Sequence, residues 1–335
     1  MYNEPLFTVL NWDIRPHLLL MVLGILLCLA LAYRLMKKGG IPGKARLAFL
    51  ALCVPLAFVC GRLGHALVYL SDTLDDPASL LRFGADQFLL LGAGLGLVVA
   101  MLLSARIGGN SFVKLSDLAA PALALMLAWS RLLEGLVGLG YSLDITSPAR
   151  QFFPLGIYDD YWESWAYAAF MLEALAALLI VLYLLRRKQD GQRFILLVFL
   201  YAVLQIWFES LRRDAYARVG FIRVNQLLCA LLVGGIVLYW LLRAKSGITY
   251  VLPRCIALLA LAGIVMVMEF AVEYKVGFLL ELNQRWRLTQ SEHYLIDYGV
   301  MLAAALLMLW LGMRAFHAQR HSAQANAPLS ASLAH

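Results

Sequence analysis

Apolar stretches recur along this chain from near residue 17 to near residue 315, each close to the roughly 20 residues that a helix needs to cross a bilayer. Hydrocarbon offers the backbone no hydrogen-bonding partner, so segments of this kind fold as helices. The expected fold class is an all-α polytopic integral membrane protein. Nine spans are expected, at 17–36, 46–70, 87–106, 115–140, 162–186, 193–213, 221–243, 250–273 and 293–315. Composition agrees: 62% of residues are hydrophobic, 15% are charged and the mean hydropathy is +0.77. The net charge of +7 does not point to nucleic acid, because the basic residues sit in short loops between spans, where they set membrane topology.

One set of loops carries Arg34, Lys37, Lys38, Lys44, Arg46, Arg106, Lys114, Arg186, Arg187, Lys188, Arg193, Arg243, Lys245, Arg254, Arg314 and Arg320, with Asp190 its only acid. The opposite set holds Asp72, Asp75, Asp76, Asp86, Asp144, Asp159, Asp160 and Glu163. Positive charge favours the cytoplasmic side, so the N-terminus is expected outside and the C-terminus inside. Arg212, Arg213, Arg218 and Arg223 run against that rule on one outer loop; an anionic headgroup or an error in topology are the two readings. Glu4 and Asp13 stand where a signal peptide would be basic, so the first span is expected to be retained. Cys28, Cys53, Cys60, Cys229 and Cys255 have no ligand-like spacing and are expected as packing residues without disulfides. Segments 71–86 and 141–164 are long outer loops, the second rich in aromatics; 274–292 is an expected interfacial helix and 319–335 a disordered cytoplasmic tail. No Walker A, HExxH or GxSxG motif is present, and no metal or cofactor is expected.

Charges inside the spans carry the functional argument. Each costs roughly 2.5–3.5 kcal/mol on insertion scales, so it lines a cavity or meets a partner. Arg62, the pair Arg131 and Glu134, and the group Glu209, Arg212 and Arg213 all lie about two-thirds of the way across their spans, on the order of 22–24 Å from the cytoplasmic ends at 1.5 Å per residue. Arg131 with Glu134, and Glu209 with Arg212, stand three apart and share a helix face. Either they neutralise each other, or the arginines bind a phosphate from the outer leaflet. Asp117 follows Ser116 at a span start, where a helix cap is the better reading. Glu173 lies near mid-span with no partner named by sequence. The run Gly92-Ala93-Gly94-Leu95-Gly96 reads as close helix packing through small residues. Glu269 and Glu273 read as a span end reaching water. His17 and His65 are the histidines nearest the bundle; a structural role is the commoner one, and proton exchange is the alternative.

These residues fall in an order that resembles the bacterial prolipoprotein diacylglyceryl transferases over about residues 10–245. Ile14-Arg15 opens the first span, and Cys60-Gly61-Arg62-Leu63-Gly64 is similar to the family's GGR(I/L)GY. Ser116-Asp117-Leu118-Ala119-Ala120-Pro121 matches SDxxAP, and Arg131-Leu132-Leu133-Glu134-Gly135 stands where the family has GRLGNF. Glu209-Ser210-Leu211-Arg212 resembles E-x-x-R, and Arg223-Val224-Asn225-Gln226 resembles RxxQ. Several positions depart from the pattern. The family's His-Gly-Gly, its proposed base, is Leu91-Gly92-Ala93 here; the signature asparagine is Glu134 and the acid five residues later is Leu139. The arginine before Glu209 is Gln205, the HPxQLYE block is replaced near Glu163–Ala169, and the first-span tyrosine corresponds to His17.

The resemblance implies a seven-span core over 1–246, with two further helices over 247–318, in a bacterial cytoplasmic membrane. It implies transfer of diacylglycerol from phosphatidylglycerol to the lipobox cysteine of a preprolipoprotein signal peptide, or to a related acceptor, with release of glycerol phosphate. Arg62, Arg131 and Arg212 are the expected phosphate-binding residues. Glu134, His17 and His65 are the candidates to replace the missing base, and Asp117, Glu209 and Gln226 are expected to support the site. A non-catalytic descendant that binds lipid or a partner is the second reading, and a small-solute or ion carrier the third.

Overall fold

The computed structural model describes residues 4–9, 12–81, 87–160, 162–187, 190–214, 218–219, 221–244, 247–274 and 290–325. Among them, nine helices are long and apolar enough to cross a membrane. These are α1 (Pro16–Lys38), α2 (Gly43–Val68), α4 (Leu90–Ile107), α5 (Phe112–Glu134), α6 (Ala169–Arg186), α7 (Arg193–Leu211), α8 (Val224–Arg243), α9 (Ile248–Tyr274) and α10 (Gln290–Ala325). A short α3 (Leu70–Asp75) and a 3₁₀ turn at Pro77–Leu81 occupy the first expected outer loop. Of the expected interfacial helix at 274–292, residues 275–289 lie outside the described residues, while Tyr274 ends α9 and 290–292 open α10. The tail expected to be disordered from Gln319 is helical as far as Ala325, and the residues beyond lie outside the described set.

By contacts the chain forms two units, one of Met1–Leu197 with Leu211–Ala217, the other of Val198–Ser210 with Arg218–His335. The division does not fall at 246, where the sequence resemblance ends, because the eighth and ninth spans share a unit with residues before them. In the first unit, Met36, Phe49, Met101, Leu115 and Leu118 form a core between α1, α2, α4 and α5. Trp129 of α5 donates its Nε1–H to the Leu20 carbonyl at 2.8 Å. Its ring covers Gly24, where a Cβ would come within 2.1 Å. In the second unit Trp240 is fully buried between Phe199 and Phe316, at 5.0 and 5.1 Å between ring centroids, which locks α10 against α7 and α8.

The spans are one-sided in the way a lipid-facing bundle requires. On α6, Glu173, Ala177, Val181 and Leu184 are buried, while Leu172, Leu175, Leu179 and Leu182 are exposed. The fifth span starts later than expected. Residues 141–168 form a three-stranded antiparallel sheet in the order β3 (Tyr141–Asp144), β5 (Ser164–Ala168), β4 (Gly156–Asp159), after the β1 (Phe7–Val9) and β2 (Trp12–Ile14) hairpin. As the central strand, β5 satisfies its backbone on both edges, so the helix begins only at Ala169. A last hairpin pairs β6 (Arg218–Val219) with β7 (Ile222–Arg223).

The small-residue run does pack closely. A Cβ on Gly92 would lie 2.5 Å from the Cys60 carbonyl oxygen, and one on Gly96 only 2.2 Å from that of Leu56, whereas Gly94 faces open space. Backbone cannot yield as a flexible side chain can. Gly96→Leu is therefore expected to separate α2 from α4 and lower the thermal midpoint in detergent, at a cost of about 1–3 kcal/mol. Gly94→Ala leaves the midpoint unchanged or raises it.

Candidate functional site: a five-charge network

Helix α5 ends at Glu134, followed by a 3₁₀ turn and by Gly138 and Gly140, both at positive φ (75° and 76°). Side chains avoid that conformation and glycine does not, so the chain leaves the helix here. Arg131 and Glu134 thus occupy the last helical turn and not a point two-thirds along a span. Arg212 lies just past Leu211, the end of α7. The depth estimate is corrected accordingly: this charge sits at helix ends.

There it forms one network inside the first unit. Arg131 pairs through Nη1 with Glu134 Oε1, and its Nε lies 2.9 Å from Glu173 Oε2. Arg212 Nη1 lies 2.8 Å from Glu134 Oε2 and 2.9 Å from Glu173 Oε1. Its Nε and Nη2 both reach Asp214 Oδ2, at 3.0 and 2.7 Å. Asp214 also accepts the Gly140 N–H at 2.9 Å. Glu134 and Glu173 each bridge the two guanidiniums. Two arginines against three carboxylates leave one formal negative charge.

The segment after α7 is fixed by its docking on β3. Arg213 N–H donates to the Tyr141 carbonyl at 2.7 Å, and its Nε donates to that of Ser142 at 2.8 Å. Its Nη2 pairs with Asp144 at 2.7 Å. Tyr141 packs on Phe170, and its hydroxyl faces the Gly135 carbonyl at 3.4 Å. Burial pushes that hydroxyl up to about 12, with Asp159, Asp160 and Asp214 adding to the effect, so it stays a neutral donor.

Arg131, Glu134 and Arg212 are thus brought together as the sequence suggests, joined by Glu173, whose partners sequence could not name, and by Asp214, which sequence reasoning missed. The other expected residues sit elsewhere. Arg62 is buried and donates to the carbonyls of Ser79, Leu80 (3.2 Å) and Gln87 (2.9 Å), holding the 3₁₀ turn of the first loop and the residue that precedes α4 by three positions. His17 lies in the first turn of α1, and His65 stacks against Tyr69 with 4.7 Å between centroids. In the second unit, Glu209 accepts from Gln205 Nε2 at 3.1 Å, and its Oε1 has no hydrogen-bond partner among the described residues. Gln226 donates to the Ile206 carbonyl at 3.0 Å and to Ser210 Oγ at 2.9 Å. The expected shared helix face of Glu209 and Arg212 is therefore corrected: α7 ends at Leu211, between them, and each finds other partners.

Asp117 is a cap, but of another helix than the expected one. The N-cap of α5 is Ser111, while the Asp117 carboxylate accepts the N–H groups of Arg193 and of Gly191 (3.3 Å) at the start of α7. A buried carboxylate at a helix N-terminus satisfies orphan donors and meets the positive end of the dipole. Asp117→Ala is expected to cost at least the roughly 0.5–2 kcal/mol of a lost cap, read as a lower melting midpoint. Asp117→Asn, which keeps one acceptor oxygen, should lose less; equal losses would contradict the capping role.

A sequence profile of prolipoprotein diacylglyceryl transferases matches residues 4–242. The phosphatidylglycerol–prolipoprotein diacylglyceryl transferase of Geobacillus kaustophilus is 27% identical over 239 residues, covering 67% of this chain and 86% of that protein. The enzyme of the same name from Shouchella clausii is also 27% identical, covering 68% and 85%. A second such transferase of Clostridium perfringens is 25% identical over 202 residues, covering 57% and 78%. Together with the nine apolar helices among the described residues, this makes the protein a multi-pass bacterial membrane protein, and the chain belongs to the prolipoprotein diacylglyceryl transferase family.

Proposed function

We propose that this protein transfers the diacylglyceryl group of phosphatidylglycerol, or a similar anionic phospholipid, to the cysteine thiol of a prolipoprotein, with Arg131 and Arg212 holding the lipid phosphate. The observation that carries the reading is the pair of buried guanidiniums, one at the end of α5 and one past the end of α7, held together by shared carboxylates. Guanidinium forks suit phosphate oxygens, and in a low-dielectric site they stabilise the charge that collects on a leaving phosphate. The loop charges support an outside N-terminus, which puts the network and the 141–168 sheet at the outer face.

In the reaction the cysteine thiol, with an ordinary pKa near 8.5, gives up its proton and its sulfur attacks the glycerol carbon that bears the phosphate. The carbon–oxygen bond to phosphate breaks, and its electron pair leaves on glycerol phosphate beside the guanidiniums. Glu134, the most exposed acid of the Arg131–Arg212 bridge, is assigned as proton acceptor. His17 and His65 are left outside the transfer step. Arg62 contributes by holding the loop that follows α2. The lipobox segment of a signal peptide would enter past the 71–86 and 141–164 segments.

The test is release of glycerol phosphate from headgroup-labelled phosphatidylglycerol by purified protein, with and without a lipobox peptide. Peptide-dependent release is expected, and Arg131→Gln should reduce it about 10²–10³-fold, the scale for losing one charge-stabilising donor, with folded yield retained. No release by folded, lipid-bound protein would move the assignment to a non-catalytic lipid-binding member. Full activity in Arg131→Gln would sink the phosphate role.

A further inference from the structure

Glu134 holds the position that a bound anion would take. Its two oxygens reach two different arginines, Oε1 to Arg131 and Oε2 to Arg212 at 2.8 Å. The Arg131 contact is a hydrogen bond, and the Arg212 contact is an ion pair that leaves Oε2 without a hydrogen-bond donor among the described residues; a phosphate would meet the same two guanidiniums. Resting on the proposed phosphate role of these arginines, we infer that Glu134 is a resident internal ligand of the site, displaced one for one by the phosphodiester of the lipid.

Three features single out Glu134 from the other acids. Its side chain is 17% exposed, against 1% for Glu173 and 8% for Asp214. It is the last residue of its helix, where the backbone leaves helical geometry through Gly138 and Gly140 at positive φ. Asp214 is held by a forked pair with Arg212 and by the Gly140 N–H, and Glu173 still bridges both arginines when Glu134 leaves. The arginine spacing is therefore kept while one ligand is exchanged.

The exchange also conserves charge. Glu134 contributes one negative charge, and a phosphodiester carries one. Replacing the first by the second leaves the charge paired with the two guanidiniums unchanged, while the displaced carboxylate turns to the more exposed side of the site. A phosphomonoester dianion would add a further negative charge, which favours release of the product. Once displaced, the carboxylate stands free beside the bound lipid, the state in which it can accept the thiol proton.

The experiment titrates short-chain phosphatidylglycerol, and separately inorganic phosphate, into parent, Glu134→Gln and Arg131→Gln proteins held in phosphatidylcholine nanodiscs, by calorimetry. Melting curves establish that each variant is folded, and Glu134→Asn serves as a second neutral variant. The expected result is lipid binding tighter by tenfold or more in the neutral Glu134 variants, and binding lost in Arg131→Gln. Tightening for inorganic phosphate as well extends the exchange to any phosphate anion; tightening for the lipid alone assigns it to the headgroup. Equal affinity of parent and both neutral variants, with loss in Arg131→Gln, would overturn the exchange while leaving the phosphate site standing. Equal affinity in all variants, Arg131→Gln included, would overturn the phosphate site and the exchange together.

Discussion

Everything about the candidate site depends on how Arg131 and Arg212 are kept charged inside an apolar bundle. Neither is placed by its own helix alone. Glu173, from α6, contacts both, and Asp214 ties Arg212 to the backbone after α5. Removing one partner from such a buried set strands the rest, at a typical cost of about 3–5 kcal/mol. The network is thus a packing constraint as well as a binding element. It fixes the ends of α5 and α6 and the segment past α7 relative to one another within the first unit.

The same constraint explains the architecture around it. A loop of flexible chain could not hold Arg212 in register. Instead β3 takes the following residue, Arg213, by one backbone and two side-chain contacts, and β3 is itself stapled to β5 at the head of α6. Asp117 fixes the opposite end of α7 by accepting its first N–H groups. The helix that delivers Arg212 is therefore anchored at its start and docked just beyond its end. Preorganisation of this kind is what lets fixed charges act on a leaving group without a reorganisation cost.

Much of this was legible in the sequence. Apolar stretches of spanning length mark the nine long helices found among the described residues, and charge within those stretches marks Arg131, Glu134, Glu173 and Arg212. The helix ends were less legible. Hydropathy carried the fourth span to residue 140 because Gly135, Leu136, Val137 and Leu139 are apolar, although the conformations of Gly138 and Gly140 end the helix earlier. The alternation Ser164-Trp165-Ala166-Tyr167-Ala168 is a strand signal that the adjoining apolar run concealed. The four arginines that run against the expected positive-inside pattern each have an acid nearby: Arg212 has Asp214, Arg213 has Asp144, Arg218 has Glu273 and Arg223 has Glu269 at 3.6 Å. Asp214 stands two residues from Arg212, but the partners of Arg213 and Arg218 lie 69 and 55 residues away, beyond the reach of propensity or helical spacing.

The central claim is that one phosphate lies between Arg131 and Arg212 in place of Glu134. The most direct measurement is a high-resolution electron cryomicroscopy structure of the protein in phosphatidylglycerol nanodiscs. The account predicts a headgroup phosphate within hydrogen-bond distance of both guanidiniums, with Glu134 turned away and Glu173 still bridging the pair. A lipid phosphate seated elsewhere, with both Glu134 ion pairs intact, would contradict it.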